Sequence, residues 1–257
     1  MSVIRLLWRA PVLVTLVCFY LLLAALAQAL LSHTRSRRMI MYLSHRLARL
    51  WNYVLNIHID TRLNGINPAH RYLILANHLS YLDIPIILEN IPSLFVTSVE
   101  IRDTPGLGLF CRLSACLFVE RRRKAQLPAD VAMIKQALAD GFNVGIFPEG
   151  TSSNGEHVLA FRKSLIQAAV GSDVQILPLS IRYERIDGRP VAKQNRDTVC
   201  WYGDMSFLPH FTRVLMSQRI DVSLRSGEQF SASLDLDRKA LADRAYSEIS
   251  GLYAAKS

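Results

Sequence analysis

Two kinds of apolar pattern divide this chain. From Ala10 to Leu31 it is apolar on every side apart from Thr15 and Gln28, and the run of 22 residues matches the roughly 20 that a helix needs to cross a bilayer. From Met39 to Asn56 the apolar residues recur with a helical period instead, at Ile40, Leu43, Leu47, Leu50, Trp51, Val54 and Leu55, with Arg46 and Arg49 off the stripe. That pattern predicts an amphipathic helix packed on a membrane surface or on the rest of the protein. Beyond it, strand-like and helix-like patterns alternate. Strands are expected at His58 to Leu63, closed by the turn Asn64-Gly65, and at Tyr72 to Ala76, Leu94 to Val96, Cys116 to Val119, Val144 to Phe147 and Gln175 to Ile181. Helices are expected around Asp83 to Glu89, Leu107 to Leu113, Pro128 to Asp140 with Gly141 at its end, and Arg162 to Val170. Val199 to Tyr202 and Ile220 to Leu224 read as further strands, and Arg238 to Ala254 as a terminal helix. Such alternation predicts an α/β fold, a mixed central sheet flanked by helices. The clear boundary falls near residue 60, so residues 1-59 form an anchor with its amphipathic helix and residues 60-257 a single domain.

Charge changes the picture at the anchor. Arg35, Arg37, Arg38, Arg46 and Arg49 follow the apolar run and place the downstream chain on the cytoplasmic face of the inner membrane by the positive-inside rule, although Arg5 and Arg9 pull the other way. A secretory signal peptide is the competing reading, because Ala25-Leu26-Ala27 has the form of a cleavage site. The apolar run continues past it through Ala29, Leu30 and Leu31. Four cysteines without paired or metal-ligand spacing fit a reducing compartment. The net charge of +9 calls for an anionic partner. Its clusters lie beside the apolar run and at Arg121-Arg122-Arg123-Lys124, without aromatic interleaving or a recognition motif. They suit lipid headgroups or an acidic soluble donor rather than nucleic acid.

The chemistry centres on Asn77-His78-Leu79-Ser80-Tyr81-Leu82-Asp83. Positions five apart on one helix diverge by about 140°, so His78 and Asp83 meet only across a strand-to-helix turn. There the carboxylate can hold one imidazole nitrogen and leave the other as a base. Ser80 is too close to His78 for a serine triad, and no G-x-S-x-G elbow occurs; the base is therefore expected to activate a hydroxyl of the substrate. An acid capping a helix start beside a histidine would give the same spacing. A metal is not expected, since no second histidine or cysteine stands at ligand spacing. Downstream, Phe147-Pro148-Glu149-Gly150-Thr151-Ser152-Ser153 follows a short buried-type strand. It sets polar groups at a strand end, where open α/β sheets bind ligands.

Taken together, Asn77-His78 with Asp83, Phe118-Val119-Glu120-Arg121, Phe147 to Thr151, and Ile176-Leu177-Pro178-Leu179 arrive in the order and spacing of four motifs. In this the chain resembles the glycerolipid acyltransferases, the PlsC-like 1-acylglycerol-3-phosphate acyltransferase family, over roughly residues 60 to 200. The resemblance implies a glycerol-3-phosphate acyltransferase-like fold and a membrane-bound O-acyltransferase. His78 would be the general base and Asp83 its orienting acid, with no covalent acyl-enzyme. Arg121 would bind the acceptor's phosphate. Glu149 and Gly150 would shape the acceptor site, with Thr151 a hydrogen-bonding neighbour and Asn77, Phe118 and Pro148 in support. Pro178 is expected to order a strand end. It implies no cofactor, the co-substrate being an acyl carrier protein or coenzyme A thioester. The implied acceptor is a membrane lysolipid, first of all 1-acyl-sn-glycerol-3-phosphate, giving phosphatidic acid.

Three stretches depart from the family pattern. Ala115 stands where the second motif opens with glycine, Ser152 where an arginine follows the threonine, and Phe161-Arg162-Lys163-Ser164 where F-K-x-G is usual. The runs Phe147 to Ser153 and Phe161 to Leu165, with Trp201-Tyr202-Gly203-Asp204-Met205, are similar to the lyso-ornithine lipid acyltransferase branch, whose acceptor carries an amino-acid headgroup. Two readings of other classes stand beside these: a non-catalytic lipid-binding scaffold on the same fold, and a secreted hydrolase using His78 and Asp83 with water.

Overall fold

The computed structural model describes residues 2–120, 122–232 and 237–255. The chain opens with two helices, α1 (Ser2–Leu30) and α2 (His33–Leu55), followed by β1 (Ile57–Arg62) and β2 (Tyr72–Ala76). Next come α3 (Asp83–Asn90), β3 (Leu94–Ser98), the short α4 (Val99–Arg102), α5 (Leu107–Leu113) and β4 (Leu117–Val119). After these lie α6 (Leu127–Ala139), β5 (Val144–Ile146), the long β6 (Gln175–Ile186) and β7 (Arg189–Pro190). The chain closes with α7 (Phe207–Met216), β8 (Ile220–Ser226), β9 (Phe230–Ser231) and α8 (Arg238–Ala254).

The strands form one mixed sheet in the order β1-β8-β6-β2-β5-β3-β4, with β7 and β9 also pairing β6. β2 lies between β5 and β6, parallel to both. All five of its residues are buried, as a strand covered on both faces requires. Its pleat separates two cores. Tyr72, Ile74 and Ala76 join the layer containing Leu55, Ile86, Ile87, Val214 and Leu215, whereas Leu73 and Leu75 join the layer of Ile134, Leu138, Leu241 and Ile249. The turn that carries His78 therefore leaves the sheet at a strand buried along its whole length, which fixes its starting point.

A third, smaller cluster joins Tyr20, Ala24 and Ala27 of α1 to Ile40 of α2. The Tyr20 hydroxyl hydrogen-bonds Ser44 at 2.9 Å and Ser114 at 3.0 Å. Both ends of α1 are tied to the rest of the protein. Arg5 and Arg9 donate to the last carbonyls of α7, at Met216, Leu215 and Ser217, where the helix dipole favours a cation. Gln28 donates to Arg112 and Leu113 at the end of α5. α1 thus runs along the folded unit rather than away from it, its outer side carrying exposed Leu7, Val14, Phe19, Leu22 and Leu30. It is the one described helix long and apolar enough to cross a membrane, and fits a membrane anchor.

Two expectations need correcting. Arg162 to Val170 is not an α-helix; only Leu165–Ala168 winds, as a 3-10 turn, because the Arg162 N–H donates to the Pro148 carbonyl and holds the segment against the preceding loop. Val199 to Tyr202 joins no strand; the Trp201 N–H is spent on the Leu79 carbonyl. Pro178 is interior to β6. It lies opposite the break between β8 and β9, where Ser226 pairs Leu179, Phe230 pairs Ile176, and the Gly227 N–H reaches the Pro178 carbonyl. A proline is tolerated in a strand where the ladder is already interrupted.

Candidate active site

β2 ends at Ala76 and Asp83 is the first residue of α3, so the six intervening residues form the expected strand-to-helix turn. Asn77 clamps its base. The Asn77 amide donates to the Ile181 carbonyl at 2.9 Å and its oxygen accepts from the Ile181 N–H at 2.8 Å, replacing the ladder just past the end of β2.

Asp83 is fully buried with both oxygens engaged. Its Oδ2 accepts from His78 Nδ1 at 2.8 Å and from the Leu79 and Ser80 N–H groups at 2.6 and 2.8 Å. Its Oδ1 accepts from the Tyr183 hydroxyl at 2.8 Å. Burying a carboxylate is costly unless its lone pairs are met, and four donors plus the N-terminus of α3 meet them. With Nδ1–H on the carboxylate, the imidazole presents Nε2 as its basic nitrogen. The His78 side chain is 20% exposed, and its Nε2 bonds to none of the described residues. The ring is seated by Phe147, stacked on it at 4.0 Å and 10°. Phe147 is backed by Phe95 at 5.6 Å. Phe95 in turn fits because position 145 is glycine: a Cβ there would lie 2.6 Å from the Phe95 ring.

Glu149 turns inward. One carboxylate oxygen accepts from the His78 N–H at 2.9 Å and the other from the Leu159 N–H at 3.1 Å. Burial pushes its carboxyl up to about 7, against the lowering effect of these two donors. It acts on the site through the backbone of His78 rather than by offering a free oxygen to an acceptor. Gly150 follows with φ +73°, and the Arg162 side chain lies directly over it: a Cβ at 150 would come within 2.9 Å of Arg162 Nε. Only glycine takes this conformation without strain while leaving room for the guanidinium. Thr151 is exposed, and its hydroxyl makes a long 3.4 Å contact to its neighbour's carbonyl. Ser152 bonds to the Trp201 carbonyl. The Ser153 N–H donates to the His78 carbonyl at 2.9 Å.

Of the remaining expected residues, Phe118 lies in β4 opposite Thr97 of β3, and Pro148 contributes the carbonyl that holds Arg162. Arg121 lies outside the described residues. Among the described residues no group of three or more histidine, cysteine or acidic side chains forms a metal cage. Sequence reasoning missed Tyr183, Arg162 as the cation beside Gly150, and the junction of Trp201 with Leu79 and Ser152. Tyr183 carried no signal, being a buried aromatic at a strand position. Its burial beside the Asp83 charge pushes the phenol well above its ordinary range, which keeps it a proton donor to the carboxylate. Arg162 did carry one, since it occupies the basic position of the F-K-x-G pattern.

A histidine held by a buried acid at the end of a central strand, with Phe147 stacked on its ring and Glu149 on its backbone, fits the arrangement expected of an acyltransferase. The Acyltransferase family model matches residues 55–182, and the chain belongs to that family. It is 35% identical over 204 residues to a lyso-ornithine lipid O-acyltransferase of Rhizobium meliloti, covering 76% of this chain and 68% of that protein. The lyso-ornithine lipid O-acyltransferase of Brucella abortus is 31% identical over 216 residues, 80% and 78% of the two chains. A 1-acyl-sn-glycerol-3-phosphate acyltransferase of Neisseria gonorrhoeae is 26% identical over 200 residues, 76% of each. The fold matches the crystal structure of PlsC, the 1-acyl-sn-glycerophosphate acyltransferase of Thermotoga maritima, with a TM-score of 0.65 over the whole of both chains at 19% identity.

Proposed function

We propose that this acyltransferase moves a fatty acyl chain from an acyl carrier protein or coenzyme A thioester to the free hydroxyl of a lysolipid, with lyso-ornithine lipid as the acceptor. His78 Nε2 takes the proton of the acceptor hydroxyl as that oxygen attacks the thioester carbonyl. The tetrahedral intermediate then collapses, the carbon–sulfur bond breaks, and the imidazolium returns the proton to the leaving thiolate. Asp83 holds the tautomer and balances the charge of the imidazolium, and the Tyr183 hydroxyl holds Asp83. No residue of the turn needs to carry the acyl group. The reaction needs no cofactor and takes place at the cytoplasmic face of the inner membrane, where both thioester donors are found.

The observation that carries the acceptor reading is Ser152. Where a phosphate-binding arginine is usual, this hydroxyl is bound to the Trp201 carbonyl and secures the 201–205 segment instead of meeting a headgroup. The greater identity to the two lyso-ornithine lipid acyltransferases supports the same reading. One guanidinium over Gly150, that of Arg162, suffices for the single carboxylate of an ornithine headgroup. A second reading, 1-acyl-sn-glycerol-3-phosphate, is favoured by that same guanidinium, which restores a cation from a different position in the chain. Purified protein given a labelled acyl thioester and the two lysolipids in parallel decides between them. Acylation of lyso-ornithine lipid at least about tenfold faster is expected; faster acylation of lysophosphatidic acid overturns the acceptor assignment.

A further inference from the structure

We propose that α7 is a third lipid-seated element of this protein, its N-terminal Phe207 and Leu208 entering the same leaflet that receives α1 and α2. This extends the reading that the acceptor is a membrane lysolipid and rests on it. Phe207 is 50% and Leu208 71% exposed, although the inner face of the helix is closed by buried His210, Val214 and Leu215. Two large apolar side chains exposed side by side at a helix end, with no acid anywhere in the helix, suit an interfacial segment.

The surface they extend names the occupant. The last carbonyls of α7 are bound by Arg5 and Arg9 of α1. Phe207 stacks on Phe211 at 5.4 Å, and Phe211 stacks on Trp51 of α2 at 5.6 Å. Around those junctions α1 exposes Ile4, Leu7 and Trp8, and α2 exposes Leu50 and Tyr53. The apolar end of α7 is therefore continuous, through an aromatic ladder, with the helices that form the anchor.

The other side of α7 reaches the catalytic turn. Tyr81, between His78 and Asp83, packs on Phe207 at 5.0 Å, lies edge-on to Trp201 at 5.8 Å, and hydrogen-bonds His210 Nδ1 at 2.8 Å. His210 Nε2 lies 3.2 Å from the Cys200 carbonyl. Burial pulls the His210 imidazole down to about 4, so it places no charge beneath the lipid-facing tip. The groups facing it are the Tyr81 phenol, the Cys200 carbonyl and, more distantly, Arg213 and Asp197. Lipid contact at Phe207 thus meets Tyr81, three residues along the turn from His78, which would bring a lysolipid from the leaflet toward the base.

The test uses the full-length protein carrying Leu208→Ser, at the more exposed position, which no aromatic contact ties to the turn. Acyl transfer is measured to a long-chain lysolipid embedded in mixed phosphatidylcholine and phosphatidylglycerol vesicles, and to a short-chain lysolipid dissolved as monomers. The variant is expected to lose about tenfold or more on the vesicle substrate and to stay within about twofold of the parent on the soluble one. Equal rates on vesicles, or an equal loss on both substrates, overturns the proposal. A parent enzyme inactive on both substrates would instead refute the lysolipid reading. Independently, Phe207→Trp is expected to add emission quenched by brominated acyl chains; added emission that such lipid leaves unquenched also overturns it.

Discussion

The two walls of the site are built differently. On one side His78 sits in a turn six residues wide after a buried strand and Asp83 opens the helix that follows, and every polar atom of the acid is satisfied by that turn or by Tyr183. On the other side the loop from Phe147 to Ser164 is shaped by contacts from far along the chain: Glu149 to His78 and Leu159, Arg162 over Gly150, Ser152 to Trp201. The first wall has one arrangement, which in the proposed mechanism holds the base. In the same proposal the second wall carries the headgroup contacts, which single substitutions could change while the base stays in place. The two walls meet at His78, whose backbone takes the bonds of Glu149 and Ser153 and whose ring stacks on Phe147; under the proposed function, transfer rests on the first wall and headgroup contact on the outer part of the second.

Substitutions can break that division, and the expected effects run from large to small. Asp83→Asn removes the charge opposite the imidazolium and disturbs the tautomer. It should lower kcat by about 10²- to 10⁴-fold with little change in acceptor KM, as loss of an oriented base does; steady-state kinetics check it. Glu149→Ala releases the His78 backbone and should cost up to about 100-fold, the penalty of misplacing a reacting group by an ångström, again in kcat. Arg162→Ala should act on the other wall, raising acceptor KM about tenfold through loss of a charge-assisted contact, at nearly constant kcat. Tyr183→Phe leaves one oxygen of buried Asp83 short of a donor and should reduce kcat by several-fold to about tenfold.

Glu149 also gives a signature in pH. Its carboxyl is raised by burial to about 7 in the folded protein, above the ordinary carboxylate value of the unfolded chain. Between those values the folded state holds the proton more firmly. The stability this group contributes is therefore present at low pH and is lost as pH rises toward 7. Thermal unfolding in detergent should show a stability difference between wild type and Glu149→Gln that shifts against wild type from about pH 5 to pH 7.5. A difference that stays level across that range would mean the carboxyl is not raised.

How much of this was legible in the sequence follows the same division. Local patterns determine β2, α3 and α8, and the first and last of these begin and end where the apolar runs and turn residues place them. The His78–Asp83 pairing was legible because spacing alone excludes a continuous helix. What was not legible depends on partners distant in the chain. Arg162 to Val170 has helical spacing, but the bond from Arg162 to Pro148 prevails over it. Val199 to Tyr202 has strand composition, but Trp201 bonds to a turn instead of a ladder. α7 was hidden because Pro209 interrupts a short apolar segment, and proline is tolerated there as part of the first helical turn. Tyr183 shows the limit most clearly, since only the fold brings a residue 100 positions away to the Asp83 carboxylate.

The proposed role of His78 as the base, with recognition lying elsewhere, is tested most directly by measuring single-turnover acyl transfer by purified His78→Ala with both lysolipids. A loss of about 10³-fold or more with each acceptor is the expected result. A rate within about tenfold of wild type with either acceptor would contradict it.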